Sequence, residues 1–279
     1  MPMMTAGQYE ESLKGLNLVV YMFGKKLENV ADDPIIRPSM LAVAKTYELA
    51  HRPEHQDIMT ATSHITGEKI NRFVHIHQST DDLDKKSKMS RLLGRETGCC
   101  FQRCVGMDAL NALSIVTHNI DKRYATTYKQ RFLKYLAYVQ QNDLTCDGAM
   151  TDPKGDRGKR PKDQADPDLF LRVVKRKSDG IVVRGAKFHQ TGMLNSHEII
   201  VMPTLNMRPG EEDWAVCFAV PAKTPGIKFI YGRQTSDTRK LEGQRLDVGN
   251  PIFGGQEVMT VFDDVWVPDE RVFMNGEVD

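Results

Sequence analysis

The chain of 279 residues is poor in cysteine, with five, and has no surplus of either charge: 38 Lys and Arg stand against 37 Asp and Glu. Such a balance gives no electrostatic reason to expect a nucleic acid or an anionic membrane as partner. The basic run from Lys154 to Lys162 reads as a solvated loop. No apolar run approaches the roughly 18 residues of a membrane span. The N-terminal MPMMTAGQYEESLKG lacks the basic and apolar regions of a signal peptide. The chain is therefore expected in the cytoplasm, where its cysteines are poor candidates for a disulfide framework. There is no internal repeat. A hydrophobic content of 40% supports a substantial core, and the length fits two domains better than one.

Three of the five cysteines fall between Gly98 and Asp108. Cys100 and Cys104 are four residues apart, so in a helix both sulfurs project from one face, a placement suited to two thiolate ligands of one metal or cluster. Core packing of such a pair is the commoner alternative. Two thiolates also leave a four-ligand centre incomplete. Cys99 points away on a helix and is expected to pack, as are the isolated Cys146 and Cys217.

Residues 5 to 145 read as helical. Thr5 is a candidate N-cap before Tyr9, Leu13, Leu16, Val20 and Phe23, and Pro34 and Pro38 break that pattern. Further helices are expected from Pro38 to His51, from a cap at Ser79 through Leu83, Met89 and Leu92, from the cysteines through Met107, Leu110, Leu113 and Val116, and from Thr126 to Asn142. From Leu169 the pattern is strand-like, with a hairpin turning at Ser178-Asp179-Gly180 and candidates at 198–202, 214–220, 227–231 and 258–262. The expected class is α+β: an all-helical domain over 1–146, then a loop and an antiparallel β domain over 147–279.

Several longer blocks carry a resemblance. They include IRPS from Ile36, HQSTDDL from His77, CFQRCVGMDA from Cys100, DGAMTDPKGDRG from Asp147, Gly180 to Gly192, GGQE from Gly254 and FDDVWVP from Phe262. With these motifs the whole chain resembles the 4-hydroxyphenylacetate 3-hydroxylase family of flavoproteins, which shares the acyl-CoA dehydrogenase fold. It resembles most its 4-hydroxybutyryl-CoA dehydratase branch. The resemblance implies that Cys100 and Cys104 are two ligands of a 4Fe-4S cluster. It also implies that FAD lies against Gly148, Ala149, Met150, Thr151, Lys154, Gly155, Asp156 and Arg157, and against Gln190 and Thr191 at the end of a hairpin strand. Thr191 is implied beside the reactive part of the flavin, and Glu257 as a carboxylate at the catalytic site. Read from residues alone, the 147–158 stretch is equally a charged linker, Thr191 a strand-end turn former and Glu257 an exposed strand residue. His189 and His197 are expected to be structural.

That branch dehydrates 4-hydroxybutyryl-CoA to crotonyl-CoA and isomerises vinylacetyl-CoA, with flavin as a reversible electron acceptor and the cluster as a Lewis acid toward the leaving hydroxyl. By the same resemblance, a further helical domain supplies the other two cluster ligands, a histidine and a cysteine. The chain is thus expected to need a C-terminal domain or complementary chain, and the complete enzyme to be a homotetramer. A flavin-dependent aromatic hydroxylase is the alternative enzyme, and a non-catalytic half-enzyme or interaction module is the alternative outside enzymes.

Overall fold

The computed structural model describes residues 3–232, 250 and 252–278. Thr5 opens the first helix through a capping box: its hydroxyl accepts from the Gln8 N–H at 3.2 Å, and the Gln8 side chain accepts from the Thr5 N–H at 2.9 Å. This helix, α1 (Ala6–Lys14), is shorter than the apolar spacing through Phe23 predicts. Gly15 closes it, Asn17 takes a φ of 50°, and Val20 lies in strand β1 (Val20–Met22), which turns into β2 (Lys25–Lys26). Helix α2 (Arg37–Ala50) carries Pro38 in its first turn, where a missing N–H breaks no helical bond. The short α3 (Gln56–Met59) leads to a small hairpin of β3 (Thr60–Thr62) and β4 (Lys69–Asn71). Ser79 caps α4 (Thr80–Thr97) as expected, and α5 (Cys104–Tyr124) and α6 (Tyr128–Gln141) follow. In α6 the stripe of Tyr128, Phe132, Tyr135 and Val139 is buried.

The strands β5 (Cys146–Ala149), β6 (Arg172–Lys177), β7 (Gly180–Thr191), β8 (Glu198–Val201), β9 (Val216–Pro221), β10 (Ile227–Tyr231), β11 (Glu257–Pro268) and β12 (Val272–Asn275) complete the α+β class. One sheet runs β2-β1-β10-β11-β7-β6, and a second runs β12-β9-β8-β5. Both are mainly antiparallel, with β1 parallel to β10 and β5 parallel to β8. The first 146 residues are thus not wholly helical, since β1 and β2 extend the larger sheet from a distant part of the chain. Inner faces of the two sheets share one core with α1 and α2, in which Tyr9, Tyr47, Phe218, Phe229 and Phe262 are fully buried. Helices α5 and α6 cover the other face of the smaller sheet through Leu110, Phe132, Leu136 and Ile200. Burying such a side chain contributes about 1.5–3 kcal/mol each, and their interlock fixes α5 against β5. Among the described residues no helix is long and apolar enough to cross a membrane.

Candidate active site

Helix α4 ends where Gly98 takes the left-handed conformation (φ 62°) and returns its N–H to Gly94 O at 3.0 Å. Residues 99–103 are not helical, and α5 begins only at Cys104. The expectation that Cys100 and Cys104 share one helical face is therefore corrected. Their sulfurs nevertheless meet, because the loop folds back onto the first turn of α5 and the two thiols hydrogen-bond. That bond lowers the pKa of Cys100 and, together with burial, raises that of Cys104: removing the first proton is assisted by the neighbouring S–H, and the second is opposed by the thiolate formed. Cys100 is exposed and Cys104 half-buried. The buried Cys146 and Cys217 are both pushed up to about 12 by desolvation and pack as expected.

Two residues within the loop hold it in place. Gln102 sits at φ 62°, uncommon for a non-glycine residue, and its side chain is fixed by Nε2 donating to Ser39 O (3.1 Å) and Gly254 O (2.9 Å) and by Oε1 accepting from Asn195 Nδ2 (3.0 Å). Arg103 is only 1% exposed, with its guanidinium 4.3 Å from the Tyr47 ring centre and 4.6 Å from that of Phe73, and it donates to Thr46 Oγ1 at 2.9 Å. Gly192, just past Thr191, permits close approach: a Cβ there would lie 2.7 Å from Gln102 Cβ. The cysteine loop consequently rests on the end of β7.

At that end Glu257, the first residue of β11, pairs directly with Thr191. Thr191 Oγ1 donates to Glu257 Oε1 at 3.0 Å, and His189 Nδ1 lies 2.8 Å from Glu257 Oε2. Cys100 is within electrostatic reach, since the Glu257 charge acts to raise its pKa. The structure therefore brings Cys100, Cys104, Thr191 and Glu257 into one neighbourhood and adds His189, which sequence reasoning set aside as structural. His197 is structural: Ser12 Oγ lies 2.8 Å from its Nε2, its Nδ1 accepts from Thr145 N–H at 3.1 Å, and burial lowers its pKa to about 4.

The 147–158 segment divides in two. Gly148 and Ala149 are buried in β5, paired with Ile200 and Val201, and a Cβ on Gly148 would meet Val105 Cγ1 at 2.6 Å. Beyond them the chain emerges, with Met150 46% exposed. The buried Lys187 ties this exit down, donating to Met150 O (2.9 Å) and Met202 O (2.8 Å) and pairing with Asp152 at 2.7 Å. Gln190 Nε2 donates to Thr151 O at 3.3 Å. Farther on, Gln164 clamps Asp156 through its N–H (3.0 Å) and carbonyl (2.8 Å), and Gly155 fits beneath at φ 49°. Lys154, Gly155, Asp156 and Arg157 are exposed, and Lys154 and Arg157 make no ion pair among the described residues. Sequence reasoning also missed Asp147. Its carboxyl is 1% exposed, Oδ2 has no partner among the described residues, and burial, with a lesser contribution from Cys100, pushes its pKa well up.

The donor chemistry suits an iron–sulfur centre in half. Two adjacent soft sulfurs are in place, while among the described residues no group of three or more His, Cys, Asp or Glu converges as a ligand set. The exposed backbone of 154–157 and its two cations, free of ion pairs among the described residues, suit the phosphates of a dinucleotide.

The chain is similar to known proteins over nearly its whole length. The family profile described as "4-hydroxyphenylacetate 3-hydroxylase N terminal" matches residues 5–274. The chain is 58% identical over 278 residues to 4-hydroxybutyryl-CoA dehydratase/vinylacetyl-CoA-Delta-isomerase of Clostridium aminobutyricum, covering 99% of this chain and 57% of that protein. It is 29% identical to the 4-hydroxyphenylacetate 3-monooxygenase oxygenase component of Thermus thermophilus, covering 55% of it. Among solved structures, an oxygen-tolerant archaeal 4-hydroxybutyryl-CoA dehydratase from N. maritimus superposes with TM-score 0.95 at 50% identity, over 99% of this chain and 55% of that one. The oxygenase component of a 4-hydroxyphenylacetate 3-monooxygenase complexed with FAD superposes with TM-score 0.77 at 27% identity, over 99% and 56% of the two chains. The chain thus spans about half the length of these relatives.

Proposed function

The chain belongs to the 4-hydroxyphenylacetate 3-hydroxylase family, and from that premise we propose that it forms the N-terminal part of a FAD- and 4Fe-4S-dependent dehydratase. Its substrate is 4-hydroxybutyryl-CoA, its product crotonyl-CoA, and vinylacetyl-CoA isomerisation accompanies it. The observation that carries the reading is the Cys100–Cys104 thiol contact beside Glu257. Aromatic hydroxylation by flavin and oxygen has no use for paired thiolates. Cytoplasmic location, a homotetrameric complete enzyme and a remaining polypeptide that supplies the other cluster ligands belong to the same proposal.

Cys100 and Cys104 would hold the cluster, and Met150, Thr151, Lys154, Gly155, Asp156, Arg157 and Gln190 would line the flavin, with Gly148 and Ala149 supporting them from β5. When bound, these groups supply reversible electron transfer and Lewis acidity toward a departing hydroxyl. The chain itself contributes orientation and proton handling. Glu257 is held at both oxygens, so its carboxylate plane is fixed and it can take or hold a substrate proton in a set direction. The Thr191 hydroxyl spends its proton on Glu257, which leaves oxygen lone pairs for a donor on a bound ligand. Lys154 and Arg157, which make no ion pair among the described residues, offer cations to phosphate.

The test is to purify the chain anaerobically, alone and with the polypeptide encoded downstream of it, and to measure iron, FAD and crotonyl-CoA formation. Iron, flavin and oxygen-independent dehydration in the completed assembly are expected. Oxygen-dependent hydroxylation of a phenol without dehydration would assign the aromatic hydroxylase reaction, and no flavin, iron or turnover in either preparation would assign an interaction module.

A further inference from the structure

We propose that His189 is a positioning residue for Glu257, delivered to the site by a bulge in β7; the inference rests on Glu257 acting in the reaction proposed above.

The register of the β7–β11 ladder places Val258 opposite Gln190 and Thr260 opposite Lys187, so that Met259 alone faces both Phe188 and His189. One extra residue in a strand reverses the facing of everything beyond it. The burial pattern records the reversal: Ile181, Val183, Gly185 and Lys187 point inward, and past the bulge Gln190 does so instead. Without the insertion Thr191 would face the core. With it, Thr191 stands on the outer face against Glu257.

The bulge is held from the side opposite β11. Where the ladder is interrupted, the Phe188 N–H donates to Thr151 O at 2.8 Å, and Gln190 Nε2 donates to Phe188 O at 2.8 Å. The segment expected against flavin and the end of β7 are therefore one hydrogen-bonded unit. His189 takes φ 58° within it, a conformation that glycine adopts far more readily. Its side chain is 59% exposed, so core packing does not account for an imidazole at a strained position. What the imidazole does is contact Glu257 Oε2 at 2.8 Å, with the Phe188 ring centre 4.3 Å from its own. Thr191 alone would leave the carboxylate free to rotate about its bond to Oε1. The second contact, from two residues earlier on the same strand, stops that rotation.

The test uses His189→Gly and His189→Asn in the completed, anaerobically loaded assembly. Glycine accepts the positive φ and lacks the contact; asparagine tolerates the φ and places an amide N–H where Nδ1 stands. H189G is expected to melt no lower than the parent yet lose at least tenfold in kcat, with KM for the CoA thioester within threefold. H189N should recover kcat to within about threefold of the parent. A separate measurement on the ¹⁵N-histidine-labelled chain, free of any assumption about the reaction, should find a downfield, exchange-protected His189 Nδ1–H proton that Glu257→Ala abolishes. Full kcat in H189G, failure of H189N to recover, or absence of that proton each overturns the inference. A parent assembly without turnover refutes the reaction reading separately, and the proton signal then decides the positioning role.

Discussion

Gly106→Ala should destabilise the protein although alanine is the better helix former. Gly106 lies in the first turn of α5, and a Cβ there would stand 1.9 Å from Cys146 O and 2.6 Å from Cys146 C, both backbone atoms of β5. Regaining an ordinary 3.4 Å contact from 1.9 Å requires 1.5 Å of separation between helix and strand. The helix cannot simply tilt away, because Val105 Cγ1 and Ala109 already bear on Gly148 in the same strand and Leu110 and Leu113 are buried behind them. Against a propensity gain of about 1 kcal/mol stands an overpacking penalty of about 1–3 kcal/mol or more, applied to a backbone contact and so toward the upper end. The net loss expected is about 1–2 kcal/mol, or several degrees of melting temperature. Gly94→Ala in α4 is the control: no atom lies within 4 Å of its Cβ position, and the same exchange should stabilise by about 0.5–1 kcal/mol. Urea unfolding of both variants, followed by circular dichroism, makes the comparison. Equal stability changes of the same sign in the two helices would refute the packing argument.

Asp143, 4% exposed, has its carboxyl pushed up from 3.8 to about 6 by burial, so the folded state binds its proton more tightly than the unfolded chain does. The stability it contributes is complete below pH 3.8 and lost as pH rises through about 6, by about 3 kcal/mol in total. Asp143→Asn, which keeps an acceptor for the Met4 N–H and suits the φ of 46°, should therefore gain stability at pH 7.5 and little at pH 4 in paired denaturant titrations. Cys100→Ser or Cys104→Ser should each abolish iron retention in the completed assembly while Cys99→Ser keeps it; iron equal in all three on colorimetric assay would remove the cysteine pair from the ligand set. Replacing Lys154 and Arg157 together by Ala should weaken FAD about tenfold to a hundredfold, the worth of one or two charge-assisted contacts, read by flavin fluorescence. Unchanged affinity would place the phosphates elsewhere.

What was legible in the sequence was local. The capping box at Thr5, the Ser79 cap, the α6 stripe and the β6–β7 turn at Ser178-Asp179 are fixed by neighbours within a turn or two. The three residues of β1 join the larger sheet through β10, more than 200 positions later, with only the two-residue β2 as a local partner, and apolar spacing alone carried α1 into them. Gly98 was the available sign that the cysteines do not continue a helix, since a glycine just past a periodic segment is the usual left-handed stop. His189 left no such trace: a bulge is a mismatch between two strands, and neither strand carries it alone.

The corrected path of the cysteine loop bears on what can complete the site. On one helix, the spacing of Cys100 and Cys104 would have been a property of α5, and neighbouring turns could have offered further ligands. In the structure the pair spans a loop and a helix start, and the groups around it are committed: Gln102, Asn195 and Ser39 to one another, Arg103 to two aromatic faces and Thr46, Glu257 to Thr191 and His189. Asp147, with Oδ2 unpartnered among the described residues, lies in the electrostatic field of Cys100, and burial pushes its pKa well up, which disfavours the charged carboxylate that a cation would bind. Among the described residues no further ligand set stands ready beside the pair, so the proposed four-ligand centre would be completed by groups outside them that reach the exposed Cys100, whose pKa the thiol contact lowers.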